Sequence, residues 1–207
     1  EVLAREVVQT LLDAARMQLV QVELSPIKAE WVEELLGAQE PALFNDWEKW
    51  LAFAGALRKD LPKKSVDANV ILVLLTSHGL PRRWFSIHQA PGCVVVDSSG
   101  WDQYVGKGRA HLAVAHLVAT NALGTRVFPF MADWQQASHA DARGCMMDLC
   151  QDKREIQAKL RAADLCTECA PIFKKAILLG RLSAPHFRHI MDMLEGIRRG
   201  LLNSRFQ

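Results

Sequence analysis

"GRAHLAVAHLVATNALG", residues 108–124, decides the fold. Apolar residues run nearly all round the helix this stretch would form, and Gly124 reads as its stop. A helix without a polar face belongs in the middle of a domain, covered on every side. Strands to cover it lie just upstream. "NVILVLLTS" (Asn69–Ser77) is a continuous apolar run rich in β-branched residues, which predicts a central strand buried on both faces. "CVVVDSSGW" (Cys93–Trp101) predicts a second strand, ended by Ser-Ser-Gly. The intervening "HGLPRRWFSIHQAPG" reads as a loop, and "TRVFPFM" after the helix as a further short strand.

Helical patterns flank this centre. Val2, Leu3, Val7, Val8, Leu11, Leu12 and Ala15 recur at helical spacing. Ser25-Pro26 opens a second helix, with Ser25 as N-cap and Pro26 in its first position. "PALFNDWEKWLAFAGALRKDL" reads as a third, with Trp47, Trp50, Leu51 and Ala54 on one packing face. After the centre come an amphipathic "DKREIQAKLRAAD" and the C-terminal helices "APIFKKAILLGRL" and "PHFRHIMDMLEGIRRGLLNS". The expected architecture is α/β (α+β): a small mixed sheet, a buried central helix, a helical N-terminal part over residues 1–65, and an α/β domain over 66–207. The boundary falls at the polar connection around residues 62–68.

Half of the 207 residues are hydrophobic, enough for a full-sized core, and the net charge is +2. Basic residues are scattered, with no stripe interleaved with aromatics, which argues against a nucleic-acid partner. No apolar run reaches the ~18 residues of a membrane span. The chain begins at Glu1 rather than Met, as expected of a domain from a larger protein. Five cysteines make an odd number, without the spacing of a disulfide scaffold, so a reducing, cytoplasmic setting is expected.

Four of those cysteines lie in "RGCMMDLCQDKREIQAKLRAADLCTEC", residues 143–169. Cys166-Thr-Glu-Cys169 lets a tight turn aim two sulfurs at one ion, and Cys145 and Cys150 form a second pair upstream. Four thiolates close a tetrahedral site, leave no position for water or substrate, and stabilise the fold. The expected ligands of one structural zinc per chain are Cys145, Cys150, Cys166 and Cys169. His139 is the substitute should Cys145 or Cys150 point elsewhere, because C-x4-C is looser than the usual C-x2-C. Buried free cysteines and a redox C-x-x-C are the other readings.

The order of these elements resembles the archaemetzincin family of zinc metalloproteases. That family joins H-E-x-x-H-x-x-G-x-x-H to a downstream C-x4-C-x-M-x17-C-x-x-C, and carries a catalytic zinc beside a cysteine-bound structural one. Cys145-Met146-Met147 looks like the C-x-M, with Met147 as the methionine beneath the active site, and Cys166 and Cys169 look like the C-x-x-C. The gap from Met147 to Cys166 is one residue longer than the family's. The family's earlier cysteine falls at Ala140, so its role passes to His139 or Cys150. His116 aligns with the first motif histidine. Leu117 stands at the glutamate base, Thr120 at the second histidine and Arg126 at the third. The resemblance implies that the structural zinc was kept and the catalytic zinc lost. The chain is then expected to be a non-catalytic module that recognises a protein partner or another domain of its own chain.

The rival expectation is a working hydrolase built from His78, His88, His111, His116 and Asp97. A third is a structural domain with buried thiols and no metal. Ser77-His78 with Asp97 or Asp102 lacks the G-x-S-x-G elbow, Cys93 opens a β-branched run typical of core, and "GWDQYVGKGR" is no P-loop. His186 and His189 share one side of the last helix.

Overall fold

The computed structural model describes residues 2–15, 47–60, 70–77, 80, 84–89, 92–150 and 152–203. The helix expected at Ser25–Pro26, the boundary at 62–68, and His78, Arg82 and Arg83 lie outside them. The sheet is formed by β1 (Leu72–Thr76), β2 (Ser86–Gln89) and β3 (Cys93–Asp97), in the order β1-β3-β2. β1 runs parallel to β3, with Leu74 opposite Val95, and β2 runs antiparallel to it, with Ile87 opposite Val95.

The two expected strands therefore exchange places. β3 is the central strand, and all five of its residues are buried. β1, expected at the centre, pairs only with β3 among the described residues, and three of its five residues are half-exposed. The β-branched run Val94-Val95-Val96 is covered on both faces, whereas the longer aliphatic run before it is not. β2 is a strand inside the stretch read as a loop. It is only four residues long, and its two middle residues, Ile87 and His88, are both buried, so it shows no alternation.

The apolar helix is α4 (Ala110–Val127), which follows the short α3 (Asp102–Val105). It packs on β2 and β3, and α1 (Val2–Ala15) and α8 (Ala184–Asn203) pack against it. Gly124 does not end it. The helix continues to Val127, and the strand expected over residues 125–131 is replaced by this last turn, a short connection and the start of α5 (Met131–Ala137). Gly124 serves a close approach: a Cβ there would lie 2.8 Å from His88 Cε1 and 3.0 Å from Trp134 Cζ3. α2 (Trp47–Asp60) packs against the sheet, and its Trp50, Leu51, Phe53, Ala54 and Leu57 share one core with Val7 and Leu11 of α1 and with β3. Trp47 stacks at a tilt on Trp84, ring centroids 5.9 Å apart.

The C-terminal part comprises a 3-10 turn (Lys153–Glu155), α6 (Ile156–Ala162), α7 (Ala170–Leu178) and α8. Asp152 and Glu155 make a reciprocal capping box at the turn. Lys153 anchors it to the end of β3. Its Nζ lies 2.7 Å from Asp97 Oδ2, donates to Ser99 O at 2.6 Å, and sits 4.6 Å from the centre of the buried Trp101 ring. α6 turns Ile156, Lys159 and Leu160 inward, three and four residues apart.

Candidate metal centre

Three short segments are laced together below α4. Residue 139 follows α5, and its backbone pairs with the turn at 145–148: His139 N–H donates to Met147 O at 3.0 Å and Leu149 N–H to His139 O at 2.8 Å. Asp148 N–H closes that turn onto Cys145 O at 3.0 Å, and Met146 N–H reaches Asp164 O at 2.9 Å. Gly144, at φ 89°, lets the turn press on α6, since a Cβ there would lie 3.1 Å from Ala162 Cβ. Cys166 and Cys169 bracket a turn, with Cys169 N–H and Ala170 N–H donating to Cys166 O at 3.2 and 3.0 Å, and this turn opens α7.

The result is a quartet. The ligand atoms of His139, Cys145, Cys166 and Cys169 all lie within 4.8 Å of one another, close enough to hold a metal ion. His139 Nε2 is 3.1 Å from the sulfurs of both Cys166 and Cys169. Metal–sulfur bonds of about 2.3 Å and metal–nitrogen bonds of about 2.0–2.1 Å space tetrahedral ligands roughly 3.5–3.8 Å apart, so small adjustments fit an ion here. Cys145 Sγ accepts N–H bonds from Met147 at 3.4 Å and Cys166 at 3.3 Å, which suit a thiolate. His139 Nδ1 faces Glu168 Oε2 at 3.8 Å, and Arg143 pairs with that carboxylate at 3.1 Å. A carboxylate behind a ligating imidazole orients the ring.

The thiols differ in character. Burial pushes Cys145 and Cys169 up, and for Cys169 the neighbouring sulfurs add to it. At Cys166 burial also pushes upward. It is outweighed by N–H bonds from Cys169 and Glu168 and by His139, which together bring this thiol down to about 7.

Cys150, one of the four expected ligands, is not in the quartet, and His139 stands in its place. The pairing of residue 139 with 148 and 149 carries the imidazole to the sulfurs and leaves Cys150 beyond the turn. Cys150 lines a cavity of about 40 Å³ with Leu117, Thr120, Asp148 and Lys159. Burial pushes its thiol up to about 11.

The same cavity adjoins the H-E-x-x-H frame. His116 is fully buried, and both ring nitrogens lack a hydrogen-bond partner. Burial, then the nearby Lys159 charge, holds it down to about 3. Thr120 donates its hydroxyl to His116 O at 3.0 Å, and Leu117 is an apolar wall. Of the hydrolase expectation, His78 lies outside the described residues, and His88, His111, His116 and Asp97 belong to no metal-capable group among the described residues. His88 Nδ1 bonds Asn121 Oδ1 at 3.0 Å, and burial holds His88 at about 4. Asp97 is tied to Lys153, and Asp102 accepts from the N–H groups of Arg109 and Ala110 at 3.2 Å. Cys93 is buried at the head of β3. His186 is exposed, and neither it nor His189 belongs to a metal-capable group among the described residues.

Lys159, Asp148 and Glu168 are polar neighbours of the site that reading by motif passes over. One signal was available: Lys159 interrupts the apolar stripe Ile156–Leu160.

Fold and site together define a mixed-sheet α/β domain with a cluster of one histidine and three cysteines able to bind metal, and no helix long and apolar enough to cross a membrane among the described residues. No family model matches the chain, and no curated protein or solved structure matches it.

Proposed function

We propose that this chain is a non-catalytic, zinc-stapled module of metalloprotease-like descent that recognises a protein partner or another domain of its own chain. The observation that carries this reading is the His139–Cys145–Cys166–Cys169 quartet. It offers a soft, borderline ion three sulfurs and one nitrogen in a closed set, the donor chemistry of structural zinc. The helix that would carry catalysis supports it from the other side. His116 is walled in, Leu117 supplies no base, and Thr120 is turned to the backbone. Free thiols throughout the described segment suit a reducing cytoplasm.

Metal content per chain of the purified protein, measured by inductively coupled plasma mass spectrometry, tests the proposal. One zinc per chain, lost on Cys166→Ser or Cys169→Ser, together with no cleavage of unfolded protein substrates, is the expected result. Two metals per chain with chelator-sensitive proteolysis would make it an active zinc hydrolase instead, and no metal would leave a structural domain with buried thiols.

A further inference from the structure

We propose that Lys159 is the internal counter-ion of the metal site, and that its ammonium sets how tightly the quartet holds a divalent ion. This inference rests on the metal reading above and names what regulates that site. Lys159 lies on α6 with 6% of its surface exposed. Its Nζ donates to the carbonyl of Asp148 at 2.9 Å, and no carboxylate lies within ion-pair distance of it among the described residues. A buried ammonium in that position is costly unless negative charge is supplied nearby. Burial pulls its proton affinity down, and Cys150, Asp148 and Cys145 oppose that pull. Its field also reaches His116 on α4.

Of these neighbours, Cys145 belongs to the quartet. Three thiolates and a neutral imidazole around a divalent ion carry one net negative charge. The loaded site therefore provides what the buried ammonium lacks, and the ammonium offsets the charge that loading brings into the interior. Asp148 competes for the same cation. Its Oδ2 accepts Gly144 N–H at 2.6 Å, whereas its Oδ1 is buried and without a hydrogen-bond partner. Lys159 and Asp148 thus act on the metal with opposite signs, although both are buried and both hold the same turn.

That opposition makes the test. Zinc affinity is measured by competition with a chromophoric chelator for wild type, Lys159→Met and Asp148→Asn. Groups just outside the ligand shell are typically worth 10–100-fold in metal affinity. Lys159→Met is expected to weaken zinc on the order of tenfold or more, and Asp148→Asn to leave it equal or tighter. Local damage would weaken both. The inference is overturned if Lys159→Met binds zinc within about twofold of wild type, or if Asp148→Asn also weakens it. Should Lys159→Met fail to fold, Asp148→Asn decides alone: equal or tighter binding supports the inference, and weaker binding overturns it. A wild-type chain that takes up no zinc overturns the metal reading and this inference with it. A zinc-binding chain indifferent to Lys159 overturns this inference only.

Discussion

Replacing Cys169 and Cys150 separately by serine distinguishes a metal ligand from a buried thiol. Both residues are buried, Cys169 at 1% and Cys150 at 9% exposure, and they sit in the same stretch of chain. Cys150→Ser exchanges a thiol for a hydroxyl in a buried wall of mixed polarity, at a cost of about 1–3 kcal/mol or less. Cys169→Ser carries a similar desolvation cost and, on the proposed reading, also removes one of the four groups that hold the metal. A metal that binds only the folded chain stabilises it by about 4 kcal/mol when free ion exceeds its dissociation constant roughly a thousandfold. Cys169 also opens α7, whose Phe173 packs on Phe128 and Phe187 with centroids 6.1 and 6.0 Å apart, so release of the staple loosens that junction. For a domain of this size, ~4 kcal/mol is a Tm difference of roughly 8–16 °C. The assay is thermal and urea unfolding of wild type and both variants, with added zinc and with chelator. Chelator is expected to lower wild type and Cys150→Ser by the same decrement, leaving wild type above Cys169→Ser only by the desolvation cost of the serine hydroxyl, and to change Cys169→Ser little. Equal losses for the two variants, or a wild type indifferent to chelator, would refute the assignment of the quartet.

His88 and His116 are held neutral at about 4 and about 3, below the ordinary 6.5, so each contributes stability that is present above pH 6.5 and lost as pH falls toward its folded value. For His116 the contribution is on the order of 3 kcal/mol or more; His116→Leu should flatten the acid limb of the stability–pH curve between pH 6.5 and 3 while leaving metal content unchanged, and an unaltered acid limb would contradict the assignment. Gly124→Ala should destabilise by up to about 2 kcal/mol in urea titration, because an overpacking cost of about 1–3 kcal/mol against His88 and Trp134 outweighs the ~1 kcal/mol gain in helix propensity; a stabilised variant would refute the close approach. Lys153→Met should cost about 3–5 kcal/mol, since it strands the buried Asp97 carboxylate, and a double-mutant cycle with Asp97→Asn should recover part of that loss.

Much of this molecule can be read along the chain, because some elements depend only on local pattern. The helix over 110–127 is apolar on every side, and no surface position suits it. Cys166-Thr-Glu-Cys169 is a turn whose two sulfurs share one direction whatever surrounds it. Misreadings arise where a distant partner decides. Whether "NVILVLLTS" or "CVVVD" lies at the centre of the sheet depends on β2, four residues hidden in an apparent loop. Gly124 has the residue type of a helix end, yet it is there because His88 and Trp134 press on the helix from other elements. The fourth member of the quartet is the same kind of case. Cys150 is the nearer residue by chemistry, but the backbone pairing of 139 with 148 and 149 exists only once α5 and the turn have met, and it brings His139 to the sulfurs instead.

The packing of α1 against α8 has a consequence for the order in which the chain acquires its structure. On the ribosome α1 is made before α8, with the sheet, α4 and the cysteine segment between them. The strands and α4 can condense as they emerge, since their contacts join neighbouring stretches. The apolar side of α1, with Val7 and Leu11, waits for its second partner until synthesis of the described chain is nearly complete. That contact spans almost the longest sequence separation among the described residues, the kind that slows folding. Until α8 docks, the nascent chain carries α1 without its second packing partner.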